Sequence, residues 1–129
     1  MHTDDVIDRL FLEWMRTKPD FSPHAYYIEA LDKVIVVVED CSTHEEHIKG
    51  SSISLHRRNY EVDGKRNYVG FEIDGVQDFC KYHQICFGEK MDLSSILKKM
   101  AETNAKALPA ILDVAIPMIE DDNINTVIF

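Results

Sequence analysis

The chain of 129 residues is 45% hydrophobic and 29% charged, with five glycines and four prolines, a composition that builds a packed core in a single α+β domain spanning 1–129 rather than a disordered chain. Its longest apolar run, residues 34–38, is far short of the roughly 20 needed to cross a bilayer, and Met1-His2-Thr3-Asp4-Asp5 lacks the basic start and apolar stretch of a secretory leader. A net charge of -9 disfavours phosphate backbones, and an odd count of three cysteines argues against a disulfide framework, so reduced thiols and a cytoplasmic location without membrane contact are expected.

In chain order, Val6, Ile7, Leu10, Phe11, Trp14 and Met15 recur at three-and-four spacing and predict an N-terminal helix, capped by Thr3 and ending near Thr17 ahead of Pro19. Ser22-Pro23 reads as an N-cap followed by a first-turn proline, which favours a second short helix to about Asp32 over a strand at residues 25–28. Residues 34–39 are rich in β-branched residues and apolar up to Val38, as expected of a central strand covered on both faces. A polar loop follows. Residues 52–59 and 67–74 then flank Asp63-Gly64 and predict a hairpin in an antiparallel sheet of three strands, with room for a fourth and fifth.

Parity constrains that hairpin. A two-residue turn would place Ile53 and Leu55 on the face opposite Val69, Phe71 and Ile73, whereas an odd loop such as Asp63-Gly64-Lys65 gathers all five on one face. The odd loop is therefore expected. It sends His56, Arg58, Tyr60, Tyr68 and Glu72 to the other, exposed face, with Tyr60 directly across from Tyr68. Beyond it, residues 76–87 predict a short helix stopped by Gly88, and Asp92 caps a long amphipathic segment, kinked or broken at Pro109 and ended by Pro117. These C-terminal helices are expected on one face of the sheet. Residues 126–129 suit an edge strand or a groove.

The chemistry-bearing patterns are few. Cys41-x2-His44-x2-His47 and Cys80-x2-His83-x2-Cys86 hold zinc-ligand residue types, but neither has the usual knuckle spacing, and on a helix Cys80 and Cys86 would sit about 240° apart. Buried cysteines and solvated histidines are the simpler reading, and no metal or cofactor is assigned. His44-Glu45-Glu46-His47 spaces its histidines three apart, not the four of a metalloprotease helix, and His44-x-Glu46 has no Pro-Cys-x-x-Cys to complete a deaminase site. Cys80 or Cys86 beside His83 lacks a separate orienting group for nucleophilic catalysis, and there is no glycine-rich phosphate loop. No catalytic residue is assigned.

Charge is unevenly spread. Residues 1–48 carry eleven acids against four bases and residues 67–129 ten against five, while residues 49–66 hold Lys49, Arg57, Arg58, Lys65 and Arg66 against Glu61 and Asp63. An acidic body thus carries one basic, tyrosine-bearing hairpin. The expected function is that of a non-catalytic binding protein, an inhibitor or an immunity or antitoxin-like protein that neutralises a basic protein partner such as a nuclease. Glu39, Asp40, Glu45, Glu46, His56, Arg58, Tyr60, Tyr68 and Glu72 are the candidate partner-binding residues. The alternatives are a zinc-binding or Cys/His-dependent enzyme and a single-stranded nucleic-acid binder acting through the hairpin. Self-association through the apolar C-terminus is also open.

Overall fold

The β-branched run of residues 34–37 forms the middle of a strand, as its stiff side chains favour. In the computed structural model, which describes residues 21–129, that strand is β2 (Lys33–Val37). It belongs to an antiparallel sheet with β1 (His24–Ile28), β3 (Thr43–His47), β4 (Ile53–Arg58) and β5 (Tyr68–Asp74), in the spatial order β1-β2-β5-β4-β3. The helices α1 (Val76–His83), α2 (Leu93–Thr103), α3 (Leu108–Ala110) and α4 (Ile116–Asp121) follow, with a π-helical stretch Ile111–Ala115 between the last two. The class is α+β. The helix expected near residues 3–17 lies outside the described residues.

One face of the sheet makes the core. Val34 and Val36 of β2, Phe71 and Ile73 of β5, and Ile53 and Leu55 of β4 form one buried cluster with Leu93, Ile96 and Leu97 of α2 and with Met118 and Ile119 of α4. The parity expectation holds for Ile53, Leu55, Phe71 and Ile73, because Ile53 pairs with Ile73 and Leu55 with Phe71, but Val69, expected on the same face, is buried outside this cluster. The connection is longer than a three-residue turn, since β4 ends at Arg58 and β5 begins at Tyr68.

The register changes along this pair. Residues 53–56 pair with 73–70, but Arg57 pairs with Tyr68, so Val69 is an extra residue in β5 and forms a β-bulge. The slip turns Tyr68 to the face of Leu55 and Phe71, where it packs against the core. Next to the bulge, a methyl on Gly70 would lie 2.5 Å from the Val36 carbonyl oxygen and 3.1 Å from His56 Nδ1.

Several expectations are corrected. Residues 24–28 form β1, not a helix, because pairing His24 with Val37 and Ile28 with Lys33 outweighs the Ser22-Pro23 signal. The helical content there is one 3-10 turn, Glu29–Leu31, ending on Asp32 in the left-handed region. β2 lies second from an edge, and Ile35 and Val37, facing away from the helices, are only half-buried. The polar stretch before residue 52 contains β3, whose Thr-His-Glu-Glu-His composition gives no apolar alternation to read.

The helix after β5 stops at His83, not Phe87. Gln84 takes the left-handed C-terminal position, and Ile85 donates its N–H to the Cys80 carbonyl at 2.8 Å. Asp92 caps α2 as expected, accepting from the Ser94 N–H at 3.2 Å. The break falls before Pro109, which sits in the first turn of α3. Pro117 does not end the helix, because the wider π-helical turn before it, closed by Ile116 N–H to the Ile111 carbonyl, absorbs the missing donor. Residues 126–129 lie beside β1 through one parallel bridge, Tyr26 to Ile128.

Gly70→Ala should destabilise the protein by about 1–3 kcal/mol, because the new methyl meets a backbone oxygen that cannot swing aside. Urea denaturation reads this as a lower midpoint. An unchanged midpoint would show that β2 and β5 separate without cost.

Candidate protein-interaction surface

The sheet face opposite the helices carries a polar cluster built by cross-strand register. Ile35 pairs with Glu72, Glu72 with Ser54 and Ser54 with His47, so one row crosses four strands. Glu72 is buried, at 8% exposure, and accepts from His56 Nε2 at 2.6 Å and from Lys33 Nζ at 2.7 Å. Ser54, also buried, shares a 2.9 Å hydrogen bond with His47 Nδ1. Burial alone raises the Glu72 pKa, but the bonds from Lys33 and His56 outweigh it and hold the carboxyl below its ordinary value. The bond to Glu72 likewise raises the Lys33 pKa, against the opposing effect of burial. These groups hydrogen-bond one another across the sheet.

The basic hairpin is neutralised by the chain's own carboxylates. Arg58 sits at the end of β4 with its side chain 6% exposed, donates from Nη1 to Glu39 Oε1 at 2.8 Å and from Nη2 to Glu39 Oε2, and also donates to the Arg66 carbonyl. Its hydrogen bonds hold the Glu39 carboxyl below its ordinary value. Lys65 lies 3.6 Å from the same carboxylate. Arg57 reaches Glu46 at 3.6 Å and Glu61 at 3.9 Å, and Arg66 reaches Asp121 at 3.4 Å and Asp122 at 3.7 Å.

The tyrosines are not a matched pair. Tyr68 faces Arg57, whose guanidinium carbon lies 5.6 Å from its ring centre, and donates its hydroxyl proton to Glu46 at 2.8 Å. Tyr60 lies beyond β4 and is 80% exposed. The expected exposed face bearing both rings therefore does not form; the bulge turns one ring inward and the long loop carries the other away. Of the remaining candidates, Glu45 stands exposed on β3, and Asp40 is exposed in the turn before it.

The cysteine and histidine triplets do not converge. His44 and His47 alternate across β3, where His44 Nδ1 lies 2.8 Å from Asn59 Oδ1. Cys80 is fully buried on α1, Cys86 lies beyond the helix and is exposed, and no group of three potential metal ligands gathers among the described residues. A cleft of about 500 Å³ lined by Phe79, Tyr82, His83, Met100 and Thr103 has no carboxylate in its wall to orient His83. Burial pushes the Cys80 thiol up to about 11, the opposite of what a nucleophile requires. No protein-family model, no curated protein and no solved structure matches the chain.

Two outcomes follow from these environments. Glu39 and Glu72 titrate lower in the folded than in the unfolded chain, where a glutamate has a pKa of about 4.3, so their stabilisation is complete above that range and is lost as pH falls through their folded values. The urea midpoint should fall between about pH 6 and pH 3, and Glu72→Gln should lower it at neutral pH while flattening its slope. An identical slope in the variant would contradict this. With a thiol reagent at about pH 8, Cys86 should react at least ~100-fold faster than Cys80, which reacts only after denaturation. Equal rates would restore Cys80 as a candidate nucleophile.

Proposed function

We propose that this is a non-catalytic binding protein whose acidic surface covers a basic protein partner, in the manner of an inhibitor, immunity protein or antitoxin acting on a nuclease. The observation that carries the reading is the internal use of the basic charge. Arg57, Arg58, Lys65 and Arg66 all sit in ion pairs with the chain's own carboxylates. Glu45, Asp78, Glu89, Asp113 and Glu120 are exposed and have no ion-pair partner among the described residues. Lys49, Lys81, Lys90, Lys98 and Lys106 are exposed and without an ion pair among the described residues as well, but the net charge of -9 keeps the outward field negative, which speeds encounter with a basic surface and suppresses encounter with nucleic acid.

The alternatives draw less support. A zinc or Cys/His enzyme needs side chains that here lie apart, and a nucleic-acid binder needs arginines that here hold carboxylates. Fixed in the loop before β3 and on β3 itself, Glu39 and Glu46 act through the hairpin they neutralise, while Glu45 and Tyr60 are placed to touch a partner.

The test is capture from a lysate on the immobilised protein, followed by association kinetics of what is recovered. The partner should be basic, and its association rate should fall roughly tenfold or more between about 0.01 M and 0.15 M salt, as the Debye length shrinks from about 30 Å to about 8 Å. Recovery of no protein at either salt concentration, or a rate indifferent to salt, would overturn the reading.

A further inference from the structure

The two edges of the sheet differ. Along β1, the chain's own C-terminal segment supplies the missing partner: Tyr27 N–H donates to the Ile128 carbonyl at 2.8 Å and Ile128 N–H to the Ala25 carbonyl at 2.9 Å. Along β3, no strand among the described residues lies outside the edge in the sheet order, and Thr43, His44, Glu45 and His47 are exposed. The direction of the β3 backbone groups follows from its pairing with β4. Ile48 N–H donates to Ile53 and Asn59 N–H to Ser42, so positions 42, 44, 46 and 48 bond inward to β4. The N–H and C=O groups of Thr43, Glu45 and His47 therefore point away from the sheet, a row able to bond one further extended chain.

Resting on the function proposed above, we infer that the β3 edge is the docking site for an extended basic segment of the protein partner, added to the sheet as a sixth strand. Charge selects this occupant. Glu45 lies on the edge, exposed and with no ion-pair partner among the described residues, so a lysine or arginine of an added strand meets its carboxylate on the face away from the helices, while Glu46 on the other face is already held by Tyr68 and Arg57. A second copy of this chain is disfavoured by the same charges, because two-fold pairing about Glu45 sets that carboxylate against its own mate. The polar composition of β3 blocks indiscriminate apolar pairing while leaving the hydrogen-bonding row open to a chain of opposite charge.

The probe is an end-capped hexapeptide of alternating lysine and threonine, compared with the same peptide methylated on every backbone nitrogen. Methylation keeps the charge and removes strand pairing. The protein variant is Thr43→Pro, which deletes one outward N–H at the first residue of an edge strand, keeps every acid and breaks no bond to β4. The expected result is salt-weakened binding of the unmodified peptide, with amide exchange at Thr43, Glu45 and His47 slowed about tenfold on saturation. Binding should weaken roughly fivefold or more in Thr43→Pro and on peptide methylation, as loss of one or two hydrogen bonds implies. If Thr43→Pro does not fold, the methylated peptide reads the same contrast on the intact protein. Equal, salt-sensitive binding of both peptides would overturn edge docking and leave the acidic-binder reading standing. Binding of neither peptide at low salt would overturn edge docking, and the acidic-binder reading with it if lysate capture also fails. A dimer in sedimentation that Thr43→Pro dissociates would replace the basic strand with a second copy.

Discussion

The Arg58 guanidinium, held at the end of β4 by both oxygens of Glu39, is the contact on which the arrangement of this sheet turns. Glu39 lies just after β2 and Arg58 just before the loop to β5, so one ion pair ties two strands that are not neighbours. A nearly buried charge persists only when its hydrogen bonds are satisfied, and here the Arg66 carbonyl completes the set from within the loop. The loop that sequence patterning treats as a basic projection is thereby drawn onto the body of the protein.

The bulge at Val69 acts with that anchor. By inserting one residue opposite Arg57, it moves Tyr68 to the helix-covered face, where its hydroxyl meets Glu46 of β3 and its ring lies under Arg57. Gly70 then permits the close passage of β2 and of the His56 ring, and His56 bonds Glu72 on the opposite face. The anchor, the bulge and the glycine together explain why both faces of the β4–β5 pair carry satisfied polar groups. No buried side-chain polar atom lacks a partner among the described residues.

What was legible in the sequence was the part set by apolar pattern. Ile53, Leu55, Phe71 and Ile73 share a face because burial fixes parity, and Asp92 caps its helix because its carboxylate bonds an unsatisfied amide. Local signals failed where tertiary pairing overrode them: Ser22-Pro23 precedes a strand, Gln84 ends a helix ahead of Gly88, and Pro117 continues one after a π turn. β3 was invisible because an edge strand exposed on both faces has no apolar alternation to betray it. The candidate surface was legible as charge and illegible as pairing, since nothing in residue order tells Arg58 that Glu39, and not a phosphate, will meet it.

Function in this account follows from where charge is spent. An acidic chain whose Arg57, Arg58 and Arg66 are occupied internally presents carboxylates and, among the described residues, an open polar strand edge, and neither feature suits a nucleic acid. The most direct measurement is fluorescence anisotropy of a labelled single-stranded oligonucleotide titrated with the protein at about 0.02 M salt, where phosphate contacts are strongest. The account predicts no binding. Binding that weakens steeply with salt, with a slope of several released counterions, would show that Arg57, Lys65 and Arg66 leave their carboxylates for phosphates, and would contradict the central claim.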